Sequence, residues 1–317
     1  MASPGASSGI GMEIARQLAA SGYNLVLVAR RMEPMEQLAE DMQMARLNAS
    51  EPSVETMLLQ CDLSDKSGPD WVYKEVKQGQ VNLDLVVSNA GAVTYGDFLS
   101  LGAERTEELL ALNVLSHTRL VKNFAQDMVD RKNGGRILLM SSVTAAVPNP
   151  GVAVYAASKA YLSSLGQSLH HELAPHGVSV TTAMPGPVRT PFSNDLKRSL
   201  CFRLPGYAAP VDKVAKSAIN AAHRGRPIVI YGTANRAWAH LVSPLLPLNL
   251  RQVVVRMAWA PVGIRKGVKP EAEAGVTAAE PKEEEGEGDP GLADSDQEPI
   301  ISVDDLEQSL TPPGAAA

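Results

Sequence analysis

The 317-residue chain is 44% hydrophobic, enough for one domain with a full core, and its two cysteines, Cys61 and Cys201, supply no disulfide framework. Its net charge of −6 averages two regions: residues 269–317 hold 2 basic and 14 acidic side chains, and residues 1–268 hold 27 basic and 21 acidic. No signal-peptide pattern and no continuous run of about 18 uncharged apolar residues occurs, so no transmembrane helix is expected. The acidic end argues against contact with nucleic acid through that segment.

Residues 5–11, GASSGIG, lead into MEIARQLAASG, an amphipathic helical pattern closed by Gly22. Gly5, Gly9 and Gly11, with Ser7, Ser8 and Ile10 between them, let a backbone turn tightly beneath a pyrophosphate, whose charge then sits at the helix N-terminus. Without a ligand the same stretch is a Gly/Ser-rich turn. NLVLVA (24–29) is a continuous apolar run suited to a buried strand, and it ends in Ala29, Arg30 and Arg31. An acid there would accept bonds from a ribose 2′-hydroxyl, whereas Arg30 favours a 2′-phosphate, so NADP(H) is expected over NAD(H). The alternative is a solvated charge pair starting the next helix.

A helix over 33–48 leads to strand VETMLLQC and then Asp62-Leu63, where Asp62 could cap the helix that follows. LDLVVS (83–88) is another buried strand, ending in Asn89-Ala90-Gly91. A helical pattern over 103–131 contains Asn113, unfavourable there on propensity alone. Gly134 and Gly135 end it, and RILLMSS delivers Ser142 from a strand end, the place where open α/β sheets bind ligands.

Thirteen residues after Ser142 comes Tyr155, and four later Lys159. Pro148, Pro150 and Gly151 make a loop of the interval, and VAVYAASKAYLSSLGQSLHHEL reads as a helix on which Tyr155 and Lys159 share one face. A phenol is a poor acid at neutral pH unless a nearby cation favours its phenolate, and Lys159 is such a cation. Ser142 could polarise a substrate oxygen while Tyr155 gives or takes a proton. VSVTTAM is a further strand, followed by Pro185-Gly186-Pro187-Val188-Arg189-Thr190, a mixed segment over 191–210, a helix over 212–224 and strand PIVIY (227–231).

Ser, then Tyr-x-x-x-Lys, after a Gly-rich turn of spacing GxxxGxG resembles the classical short-chain dehydrogenases/reductases (SDR), over residues 3–262. The resemblance implies an α/β fold, a Rossmann-type doubly wound parallel sheet of seven strands in a single domain. It implies catalytic roles for Asn113, Ser142, Tyr155 and Lys159, with Asn113 holding a water that links Lys159 to solvent and Lys159 holding the nicotinamide ribose. It places Asp62 and Leu63 beside the adenine, and Asn89, Ala90 and Gly91 as the family's NNAG turn with Ser88 for its first Asn. Pro185, Gly186, Val188 and Thr190 match the PG-x-V-x-T segment facing the carboxamide. Residues 191–210 correspond to the family's variable substrate lid. The implied reaction is NADP(H)-dependent interconversion of a carbonyl and an alcohol on a small-molecule substrate. The family often forms homo-oligomers through the helices around Asn113 and Tyr155.

One departure is the start. The family has an apolar central strand before its glycines, and Met1, Ala2, Ser3 and Pro4 are expected not to make it, so the sequence is expected to be N-terminally truncated with that strand absent. That deficit keeps open a non-catalytic binding or regulatory protein. The expected organisation is a Rossmann domain over 1–232, an amphipathic helical extension over 233–263 and a disordered acidic tail over 264–317. The extension, with Trp238 and Trp259 near its ends and Pro244 and Pro247 interrupting it, could lie at a lipid interface through residues 234–262 or cover a hydrophobic cleft. Family members acting on lipophilic ketones carry a similar extension, which points to a 3-oxoacyl or sterol-like substrate. The expected location is cytoplasmic, or peripheral on an intracellular membrane such as the endoplasmic reticulum. No metal is expected.

Overall fold

The computed structural model describes residues 2–4, 8–190, 208–239, 245 and 247–259. The expectations for Gly5 and Ser7, for most of the lid, for parts of the extension and for the acidic tail lie outside these residues. The described residues fall within one compact unit, Met1–Pro270.

The chain alternates strands and helices: β1 (Ala2–Pro4), α1 (Gly9–Ala20), β2 (Leu25–Ala29), α2 (Glu33–Asn48), β3 (Thr56–Gln60), α3 (Gly68–Gln78) and β4 (Leu85–Ser88). Then follow α4 (Ala103–Leu110), α5 (Ser116–Asp130), β5 (Gly135–Met140), α6 (Ala153–Leu173), β6 (Val178–Ala183), α7 (Val211–His223), β7 (Ile228–Val229), α8 (Thr233–Ala237) and α9 (Leu248–Trp259). The seven strands form one sheet in the order β3-β2-β1-β4-β5-β6-β7. Every pairing is parallel.

Continuous apolar strands follow from burial on both faces. Leu25, Leu27, Leu85, Val87, Leu138 and Met140 point into one core with α1, α2 and α7. Their alternate neighbours Val26, Val28, Val86, Ile137 and Leu139 point into the other, with Val72 of α3 and Leu120 and Phe124 of α5. With helices on both faces, the carboxyl edge of the sheet is left for a ligand.

The absence of the first strand is corrected by the structure. Ala2, Ser3 and Pro4 pair with Val26, Leu27 and Val28, and Ala2 also pairs with Val86, so β1 holds the central place. The ladder is built from main-chain groups, and three residues suffice to occupy the slot between β2 and β4. Pro4, which has no N–H, comes last, where the ladder ends.

The single helix expected over 103–131 is also interrupted. Between α4 and α5 the residues Ala111–Leu115 form a π-helical turn, with Asn113 buried in its middle. Helix α6 lies close on the sheet at Gly166, where an added Cβ would sit 2.2 Å from Thr182 Oγ1 and 2.9 Å from Leu139 Cδ1. A second tie joins it to β5: Ser141 Oγ donates to the Lys159 carbonyl at 2.6 Å.

Candidate active site

A cavity of about 560 Å³ runs along the carboxyl edge of the sheet. Its floor at one end is the start of α1, where Ser8, Gly9 and Ile10 line it. Gly9 has φ of 60°, which L side chains rarely adopt, and Ser8 precedes the helix in an extended conformation with no side-chain capping bond. With no acidic residue in the first turn, the helix directs its N–H groups and positive dipole end at whatever enters.

The next wall is the end of β2. Ala29, Arg30 and Arg31 line the cavity beside Cys61, Asp62 and Leu63 from the end of β3. Arg30 Nη1 stands 3.8 Å from Asp62 Oδ2, and both side chains are exposed. Asp62 does not cap α3, whose first residue is Gly68. Its Oδ1 instead accepts bonds from the N–H and hydroxyl of Ser64, at 2.9 and 2.6 Å. Burial, then the charges of Asp62 and Asp65, push the Cys61 thiol up to about 11, so it stays protonated.

Beyond β4, Asn89, Ala90 and Gly91 face the cavity. Asn113 grips the following residue from both sides: its Oδ1 accepts from Ala92 N–H and its Nδ2 donates to Ala92 O, each at 2.9 Å. Nδ2 also donates to Ser158 Oγ at 3.1 Å. The Asn113 side chain thus braces the loop that follows β4.

At the far end stand Tyr155 and Lys159 from the first two turns of α6. Ser142 is buried at the mouth of a short 3-10 turn, and its Oγ accepts from Thr144 N–H at 3.2 Å. It also hydrogen-bonds the Tyr155 hydroxyl, which favours the phenolate, but burial outweighs this and pushes the phenol up to about 12. The Lys159 cation contributes nothing to that balance at its distance from the hydroxyl-bearing ring. Lys159 Nζ lies 5.9 Å from the centre of the Tyr155 ring and donates to the Met140 carbonyl at 2.9 Å. Burial alone brings Lys159 down to about 8.

The structure therefore brings together Ser8, Gly9, Ile10, Arg30, Asp62, Leu63, Asn89, Ala90, Gly91, Tyr155, Lys159, Pro185 and Thr190 around one cavity. Gly11 is buried inside α1, and Val188 bridges to Ala209, so neither lines it. Gly186 answers to packing: a Cβ there would lie 2.3 Å from the Asn235 amide. Arg31, Leu112, Met140 and Ser141 line the cavity without having been singled out as site residues. Ser141 could have been found from the paired serines at the strand end. Ser88 and His117, buried against each other behind the Asn89–Gly91 wall, had no such signal in spacing.

The cavity fits a dinucleotide: an uncapped helix start for the pyrophosphate, Arg30 at the end of β2, and a proton-bearing Tyr155 at the opposite end. Among the described residues no cluster could hold a metal ion, and no helix is long and apolar enough to cross a membrane.

Residues 4–200 match the short chain dehydrogenase family. A very-long-chain 3-oxoacyl-CoA reductase of Podospora anserina is 34% identical over 198 residues, 62% of this chain and 56% of the relative. The chain thus spans little more than half of that relative's length. Oxidoreductase UcpA of Salmonella typhimurium is 33% identical over 195 residues, 61% of this chain and 71% of the relative. Among solved structures, a short-chain dehydrogenase from Sphingobium yanoikuyae in complex with NADPH superposes with a TM-score of 0.66 at 28% identity, covering 86% of this chain and 98% of that one.

Proposed function

The chain belongs to the short chain dehydrogenase family, and from that premise we propose that it is an NADP(H)-dependent oxidoreductase interconverting a ketone and an alcohol, with a lipophilic 3-oxoacyl or sterol-like substrate. The observation that carries the reading is the hydrogen bond from Ser142 to a Tyr155 hydroxyl held protonated at the end of a dinucleotide-sized cavity.

When bound, the nicotinamide supplies the hydride. The protein's part is proton chemistry and position. In the direction of reduction, Tyr155 gives its phenolic proton to the substrate oxygen, which Ser142 orients by its hydroxyl. The resulting phenolate sits beside the Lys159 ammonium, which is charged below about pH 8 and stabilises it before solvent returns the proton. Asn113 holds the Ala92 segment beside the cavity through its two bonds to that residue.

Arg30 supports the preference for a 2′-phosphate, since it is exposed at the cavity rim with Asp62 at the edge of ion-pair range. The lipophilic substrate is supported by the activity for which the Podospora relative is named and by exposed Leu245, Leu250 and Val253 in the extension. The same apolar residues support peripheral membrane contact of an otherwise cytoplasmic protein, and exposed Leu110, Leu115 and Tyr161 on α4 to α6 support a homo-oligomer. The alternative of a non-catalytic protein rested on a missing first strand, and β1 occupies that place.

The test is a titration with NADPH and NADH, followed by a panel of ketones from small polar to 3-oxoacyl and steroidal. NADPH oxidation confined to small polar carbonyls would overturn the lipophilic substrate, and no turnover on any ketone with bound NADPH would overturn the activity. Arg30→Ala is expected to raise the NADPH Kd about tenfold, the worth of one charge-assisted hydrogen bond, while leaving the NADH Kd within about twofold.

A further inference from the structure

Behind the cavity wall lies a polar contact that the reaction does not use. Ser88 closes β4 and His117 stands one turn beyond Asn113, and both are essentially inaccessible to solvent. The Ala90 carbonyl oxygen can only accept, so its 2.6 Å contact with His117 Nε2 puts the ring proton on that nitrogen. Nδ1 is then the acceptor, and Ser88 Oγ, 2.6 Å away, donates to it. Burial, reinforced by the charge of Lys159, pushes the imidazole down to about 3 and keeps this neutral form.

After Ser116 and His117 the buried residues of α5 are apolar: Leu120, Val121, Phe124, Ala125 and Met128. A hydrocarbon at 117 would fill the space without the cost of desolvating a ring with two polar atoms. What the imidazole adds is direction: it ties a strand-end hydroxyl to the main-chain carbonyl of a cavity residue. Asn113, four residues earlier, ties Ala92 in the same way. The two side chains pin the Ser88–Ala92 segment at both ends, and its middle, Asn89 to Gly91, is cavity wall.

We propose that His117, oriented by Ser88, is a positioning residue for cofactor binding: it fixes the Ala90 carbonyl and with it the Asn89–Gly91 wall against which the dinucleotide lies. The inference rests on the reading of this cavity as the dinucleotide site.

The test uses the purified full chain and three variants, His117→Leu, His117→Gln and Ser88→Ala, with NADPH Kd read by nucleotide fluorescence and folding read separately by thermal unfolding. His117→Leu is expected to raise the NADPH Kd about tenfold, and His117→Gln, whose amide can both donate to Ala90 and accept from Ser88, to return it to within about threefold of wild type. Ser88→Ala leaves Nδ1 without its donor and is expected to weaken binding about threefold, and adding it to His117→Leu should cost nothing further. A His117→Leu protein that unfolds earlier yet binds NADPH within about twofold of wild type overturns the proposal, because packing alone then accounts for the residue. If His117→Leu does not fold, an unchanged Kd in Ser88→Ala overturns it instead. A wild-type protein that binds neither NADPH nor NADH removes the dinucleotide reading and this inference together, whereas wild-type binding with unaffected variants removes the inference alone.

Discussion

At Tyr155 two influences oppose each other: the Ser142 hydroxyl favours the phenolate and burial disfavours it, and burial wins, leaving the phenol at about 12. The proton is therefore held at neutral pH until a substrate oxygen arrives to take it. Tyr155→Phe keeps the ring and its packing but removes the donor, so kcat is expected to fall about 10² to 10⁴-fold while the NADPH Kd stays within about twofold. Wild-type turnover in that variant would remove Tyr155 from the mechanism. Ser142, Tyr155 and Lys159 were legible in the sequence because helical geometry alone puts i and i+4 on one face and a strand end delivers the serine. The ammonium's bond to the Met140 carbonyl was not legible, since it depends on how deeply α6 sits on the sheet.

That depth is an element-scale property, and Gly166 sets it. A methyl group there would meet Thr182 Oγ1 and Leu139 Cδ1 well inside contact distance, so those side chains or the helix must shift. Gly166→Ala is expected to destabilise the fold by about 1 to 3 kcal/mol and to lower kcat along with it, because Tyr155 and Lys159 ride on the same helix. Urea midpoints and kcat measured together check this; a stability loss with unchanged kcat would show that α6 repacks without moving its first turns. The strands were legible here as apolar runs covered on both faces. Strand β1 was not, because three main-chain pairings need no apolar signature. The π turn at Ala111–Leu115 escaped for a related reason: one residue of altered winding barely disturbs a helical apolar pattern.

For the whole molecule, the buried bases His117 and Lys159 make stability depend on pH in a definite sense. The unfolded imidazole takes up a proton below about pH 6.5, and the folded one does not until about pH 3. Stability therefore falls as pH drops through that window, by on the order of 5 kcal/mol at its lower limit. Lys159 acts at the other end: folded it loses its proton near pH 8, unfolded near 10.4, so its contribution rises with pH between the two. Urea midpoints across pH 4 to 7 should decline less steeply in His117→Gln than in wild type, and identical slopes would show that His117 is not the group responsible. A seven-stranded parallel sheet was legible through the family resemblance, but the Ser88–His117 pairing, 29 residues apart in the chain, arises only once β4 and α5 are brought together.

The grip of Asn113 on Ala92 also has a consequence in time. A carboxamide that both accepts from and donates to one residue copies a rung of a β-ladder, four residues past Ser88 in a connecting loop. The Ala92 amide should then exchange with deuterium as slowly as the amides of β4 and β5, since freeing it requires the turn that carries Asn113 to open as well. Exchange at Ala92 on the timescale of an unprotected loop would mean that this rung opens on its own, without the helix.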